Sequence, residues 1–99
     1  MSLSNHHRVH DRITEILTRE FTPTHLEVID DSHLHAGHAG ARPEGETHFR
    51  VNLVSAAFVG ESRVARQRRV YAALEDLMQT RVHALQLKTF TPEEYHAKA

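Results

Sequence analysis

Ten histidines and no cysteine in 99 residues mark the chemistry this sequence is equipped for. Imidazole binds borderline metals and titrates near neutrality, so metal binding, a response to pH, or both are in view. His33, His35 and His38 crowd one stretch, and His83 stands far downstream. His6 and His10 are four apart, the spacing of neighbours on one helix face, and can clasp a metal. Such pairs also arise readily in so histidine-rich a chain. His48 alternates away from Phe49 onto the second face of a strand, His25 and His96 show no partner in the sequence, and all three are set aside. Without cysteine, disulfides, an all-protein iron-sulfur cluster and thiol catalysis are excluded. A closed structural zinc site wants four protein ligands, and neither Asp30 nor Asp31 has a spacing that demands participation. Two or three imidazoles are an incomplete shell, so any thiolate must come from a partner.

The second set is cationic. Arg63, Arg66, Arg68 and Arg69 fall in the first half of a helical stretch, at the positive end of its dipole, where local energetics disfavour them. Guanidinium groups placed there suit phosphates, glutathione-like carboxylates or an acidic protein surface. A solvated face offset by Glu61, Glu75 and Asp76 is the plainer alternative. Twelve Lys+Arg against thirteen Asp+Glu give a formal charge of -1, far from the basic balance of a dedicated nucleic-acid binder. No triad, nucleophile or carboxylate pair suggests catalysis, and the expectation is a non-enzymatic protein.

These side chains need elements to position them. With 39% hydrophobic and 25% charged residues, the chain describes one small α+β domain over residues 1–99. No apolar stretch approaches the length of a membrane span or a secretory h-region, which predicts a cytoplasmic protein with no membrane partner. Val9, Ile13, Ile16 and Leu17 lie at helical spacing, with Ser4 or Asn5 as N-cap and Thr22-Pro23 as stop. Leu26 and Val28 alternate with His25, Glu27 and Ile29 in a short strand ending at Asp30-Asp31. Residues 31–45, with Gly37, Gly40, Pro43 and Gly45, form a long loop carrying the three clustered histidines. Thr47, Phe49, Val51 and Leu53 set a clear period of two, the second strand. A second helix runs from the Ser62 cap to about Gln79, with Val64, Gln67, Val70, Tyr71, Leu74, Leu77 and Met78 on one face. The third strand covers 82–89, and Thr91-Pro92-Glu93-Glu94 is a capping box opening a short terminal helix.

The order αββαβα brings distant histidines together. A strand-helix-strand unit forms a right-handed crossover with its two strands parallel. If strands two and three are neighbours, their starts share one sheet end, and the histidine loop empties into that end. His83 is then the natural partner of His33, His35 and His38. The spacing leaves open whether His83 is a ligand or a hydrogen-bonded core residue.

With these residues in view, the chain resembles the BolA family over nearly its whole length after the first few residues. Four segments carry the likeness: residues 31–38, from Asp31-Ser32-His33 to His38; residues 45–51, Gly45-Glu46-Thr47-His48-Phe49-Arg50-Val51; residues 58–71, from Phe58-Val59-Gly60 to Tyr71; and Val82-His83-Ala84-Leu85 with residues 89–95. The resemblance implies a class II KH-like fold with a three-stranded mixed sheet. It also implies a monothiol glutaredoxin as partner, the protein being a monomer alone and half of a heterodimer in the complex. A [2Fe-2S] cluster is then shared, with sulfur from the glutaredoxin cysteine and glutathione, and with His83 and a loop histidine from this chain. His35 matches the loop position best, by its spacing from Ser32, and His38 is the fallback. Gln67 departs from the histidine usual between the two arginines of the family, which puts any charged role there in doubt. Relatives are also described as DNA-binding regulators acting in stress, making DNA the alternative partner through Arg63, Arg66, Arg68 and Arg69. No Gly-x-x-Gly loop supports clamping of RNA in the KH manner.

Overall fold

The computed structural model describes residues 8–31 and 47–98. Helix α1 (Val9–Phe21) forms because Val9, Ile13 and Leu17 recur every fourth residue, and Phe21 completes a stripe that is buried throughout. It begins later than a Ser4 or Asn5 cap would place it: Arg8 holds the N-cap position in extended conformation and makes no side-chain cap bond. Ser4, Asn5 and His6 lie outside the described residues. At the other end Thr22 turns left-handed, φ 38° and ψ 62°, and its N–H bonds the Thr18 carbonyl at 3.0 Å before Pro23 stops the helix.

Strands β1 (His25–Asp30), β2 (His48–Val54) and β3 (Ala84–Phe90) form one sheet in the order β1-β2-β3. β2 is antiparallel to β1 and parallel to β3, as the crossover rule requires. The register sets His48 opposite Ala84 and Val51 opposite Leu87. Phe49, Val51 and Leu53 therefore share one face, which packs on α1 and on Phe58, Val70 and Leu74 to make the core. The third strand starts at Ala84, two residues later than periodicity indicated. The Val82 N–H turns back to Leu77 O at 2.8 Å, so the ladder opens only beyond it.

The second helix is two pieces, α2 (Arg63–Ala73) and α3 (Glu75–Thr80), meeting at Leu74 with φ −101° and ψ 14°. Leu74 is itself buried, so the chain bends around a core anchor. Ser62 caps α2 as expected, its hydroxyl accepting from the Ala65 N–H at 3.1 Å. The inward face differs from the one drawn from the sequence. Arg66, Val70 and Leu74, spaced by four, point inward, while Val64 (57% exposed), Gln67 and Tyr71 look outward. An arginine can occupy that line because its partners are at hand. The Arg66 fork donates to both Glu94 carboxylate oxygens, at 2.7 and 3.1 Å, and its Nε donates to Glu61 O at 2.9 Å.

Glu94 belongs to α4 (Pro92–Lys98), whose capping box closes as anticipated. The Thr91 N–H donates to Glu94 at 2.9 Å and the Glu94 N–H to the Thr91 hydroxyl at 3.1 Å. α4 covers part of the second sheet face, with the Tyr95 ring stacked on His25 at 5.0 Å and tilted on Phe90 at 5.5 Å. A 3₁₀ turn, Ala56–Phe58, had no periodic signal. Ser55 fixes it, donating to Phe21 O at 2.6 Å and accepting from the Ala57 N–H at 3.0 Å.

Candidate functional site

His83 sits at the entrance to β3, and its side chain is solvent-exposed, which removes the alternative of a core histidine. Its backbone is held firmly. The Thr47 carbonyl accepts from the His83 N–H at 2.7 Å and from the Ala84 N–H at 3.1 Å. Thr47 is buried, and its hydroxyl shares a hydrogen bond of 2.9 Å with His48 Nδ1. The His48 ring in turn lies 5.3 Å from the His83 ring, centroid to centroid, at 51°. One residue therefore steadies the His83 backbone and orients the ring beside it.

Asp31 and Thr47, which border the histidine-bearing segment 32–46, lie at this same end. Asp31, the last described residue before it, donates its N–H to His48 O at 2.8 Å and ion-pairs with Arg50. That carboxylate raises the Arg50 pKa, chiefly by its hydrogen bond. Thr47, the first described residue after the loop, is the one bonded to His83. Asp31 thus adjoins His48, and Thr47 adjoins both His48 and His83, at the common start of β2 and β3. His33, His35 and His38 themselves lie outside the described residues. An open hollow of about 260 Å³, lined by Thr47, the end of α3, Arg81 and His83, adjoins the site.

His48 is the neighbour of His83 that sequence reasoning set aside. Its alternation away from Phe49 was legible, but its contact with His83 follows from the β2/β3 register, which periodicity does not supply. Among the described residues no three His, Cys, Asp or Glu side chains converge on a metal position. A metal group at His83 would therefore draw at least part of its ligand set from outside those residues. That requirement fits a donor set of two imidazoles with no thiolate of its own. His10 pairs with Asp11 at 3.1 Å, and His25 stacks on Tyr95.

The four arginines do not form one patch. Arg66 is buried against Glu94, whose carboxyl it holds down to about pKa 2, with the Thr91 backbone bond assisting. Arg69 donates to Glu61 at 3.0 and 3.1 Å and lies over the Phe21 and Phe58 rings. Arg63 faces β3, and Arg68 is exposed. Arg63, Arg66 and Arg69 lie toward the Phe90 end of the sheet, where α2 begins and meets α4. His83 is at the other end, a strand length of about 23 Å away.

Comparison with known proteins places this architecture. A family profile described as BolA-like protein matches residues 17–94. SufE-like protein 1, chloroplastic/mitochondrial, from Arabidopsis thaliana is 46% identical over 84% of this chain, which spans only 24% of that longer protein. The DNA-binding transcriptional regulator BolA of Escherichia coli is 42% identical over 88% of this chain and 79% of its own. Among solved structures, the BolA domain of SufE1 from Arabidopsis thaliana superposes with a TM-score of 0.77 at 45% identity, covering 86% of this chain and 93% of that one.

Proposed function

The chain belongs to the BolA-like protein family, and on that premise we propose that it is a non-enzymatic partner of a monothiol glutaredoxin, sharing a histidine-ligated [2Fe-2S] cluster in iron-sulfur trafficking or iron sensing. The observation that carries the reading is His83: exposed, backbone-clamped to Thr47, and at the sheet end where Asp31 and Thr47 border the histidine-bearing segment 32–46. In this reading His83 is the strand-held ligand and His35 the second imidazole, with His38 as substitute. His35 is four residues beyond Asp31, and four residues of chain reach at most about 14 Å. The glutaredoxin cysteine and glutathione supply the two thiolates this chain lacks. Imidazole ligation raises the reduction potential of such a cluster relative to all-cysteine ligation. His48 acts through His83 as a positioning residue, limiting the orientations of its ring. Co-expression with a monothiol glutaredoxin, followed by anaerobic absorption and electron paramagnetic resonance spectra, tests the proposal. A coloured, iron-containing heterodimer supports it, and a colourless complex without iron overturns it.

A second reading rests on the Escherichia coli relative named as a DNA-binding regulator. Arg66 and Arg69 are engaged internally, so a DNA contact falls to Arg63 and Arg68. Affinity carried by phosphates falls steeply with salt through counterion release, whereas an iron-histidine bond responds to pH and chelators.

A further inference from the structure

A cavity of about 290 Å³ lies at the outer margin of the sheet, lined by Arg63 and Gln67 of α2, residues 87–90 of β3, and Lys98 of α4. Side chains alternate between the faces of a strand, so four consecutive residues line one cavity only where the wall is the strand's edge. β3 is an outer strand, paired with β2 on its inner side. The direction of its free groups follows from two bonds. The Tyr71 hydroxyl donates to Leu85 O at 3.3 Å from outside, while Phe90 O on the inner side accepts from the Ser55 N–H at 2.9 Å. The N–H and C=O of one strand residue leave on the same side, and the side alternates along the chain. Leu87 and Thr89 therefore present their backbone groups outward, into the cavity.

Cations flank this edge on both faces. Arg63 comes from the α2 side, the side of Leu87 and Thr89. Lys88 comes from the opposite face, as does Lys98, whose ammonium lies 5.5 Å from the Phe90 ring centroid and 5.8 Å from that of Tyr95. Gln67 contributes a neutral amide where a histidine would have added a titratable group.

We propose that this edge is a docking site for an acidic, extended peptide segment of a partner protein, which adds to β3 as a fourth strand. Main-chain bonds to Leu87 and Thr89 hold such a segment, and its side chains alternate between the two faces. Acidic residues at adjacent positions thus meet Arg63 on one face and Lys88 and Lys98 on the other. A nucleic-acid strand, with its phosphates in a single row, satisfies only one of these two sets. The site lies at the sheet end away from His83 and is independent of cluster binding.

The test uses the full chain and a labelled peptide, acetyl-Val-Asp-Glu-Val-Asp-Glu-Val-amide, followed by fluorescence anisotropy and amide hydrogen exchange. The peptide is expected to bind and to slow exchange at Leu87 and Thr89. Lys88→Glu with Lys98→Glu should weaken binding about tenfold, since an exposed ion pair contributes up to about a factor of five. The same peptide N-methylated at alternate amides keeps its charge but cannot complete the ladder, and it should not bind. Absence of binding by the unmodified peptide overturns the proposal, as does equal binding of the N-methylated form. Displacement by a short single-stranded DNA that protects the same amides at lower concentration also overturns it and assigns the edge to nucleic acid.

Discussion

His83 does its work by being exposed and held still, so its replacement separates function from folding. His83→Ala is expected to leave the apo protein's stability within about 0.5 kcal/mol of wild type, as exposed substitutions usually do. The same change should alter the spectrum of the cluster-bound complex more than any other single substitution. His48→Ala tests the positioning role: the cluster should still form, with broadened resonance features and faster loss to a chelator, because the ring beside His83 is gone. Identical chelation rates for wild type and His48→Ala would show that the ring contact does nothing for the ligand. His35→Cys should retain a cluster with shifted spectra, since thiolate donates more charge to iron than imidazole, while His35→Ala weakens it. A defect confined to His38→Ala would move the loop ligand there. The place of His83 beside the start of β2 was readable because the β-α-β crossover sets β2 and β3 parallel. The place of His48 was not, because ring contact between strands depends on register.

At the scale of elements, Arg66 and Glu94 join α2 to α4. Glu94 has a folded pKa of about 2 against an ordinary 4.5, so its contribution to stability is full above about pH 4.5 and is lost as pH falls toward 2. Glu94→Gln should therefore lower the melting temperature at neutral pH and flatten its decline through that acid range. Parallel melting curves for the two proteins from pH 5 to pH 2 would contradict the pairing. Phe58, wholly buried on the 3₁₀ turn, should cost about 3–5 kcal/mol on truncation to alanine, measurable by urea unfolding. Periodicity in the sequence located every strand, the cap at Ser62 and the capping box at Thr91. It misjudged α2 because hydropathy alone ranks Gln67 and Tyr71 above an arginine as inward residues. The arrival of Glu94 from the far end of the chain, together with the Glu61 carbonyl, makes a buried Arg66 tolerable. The bend at Leu74 likewise has no Gly or Pro to announce it.

Across the whole molecule, His48 and His83 lie at one end of the sheet, and Arg63 and Arg66 lie toward the other. Cluster binding and an anionic contact at Arg63 or Arg68 need not compete. Arg63→Glu with Arg68→Glu should leave the cluster spectrum unchanged, and if DNA is bound, should reduce the slope of log affinity against log salt by about one for each phosphate no longer neutralised. Nothing in composition shows this separation; it follows from the strand order and from the direction of β3. The central claim concerns His83 as ligand to a shared cluster, and the decisive measurement is the electron paramagnetic resonance spectrum of the reduced complex with a monothiol glutaredoxin, wild type against His83→Ala. The wild-type complex should give a [2Fe-2S] signal with nitrogen hyperfine coupling from coordinated imidazole, and His83→Ala should lose part of that coupling and release iron faster. A wild-type spectrum without nitrogen coupling, or one left unchanged by His83→Ala, would contradict the account.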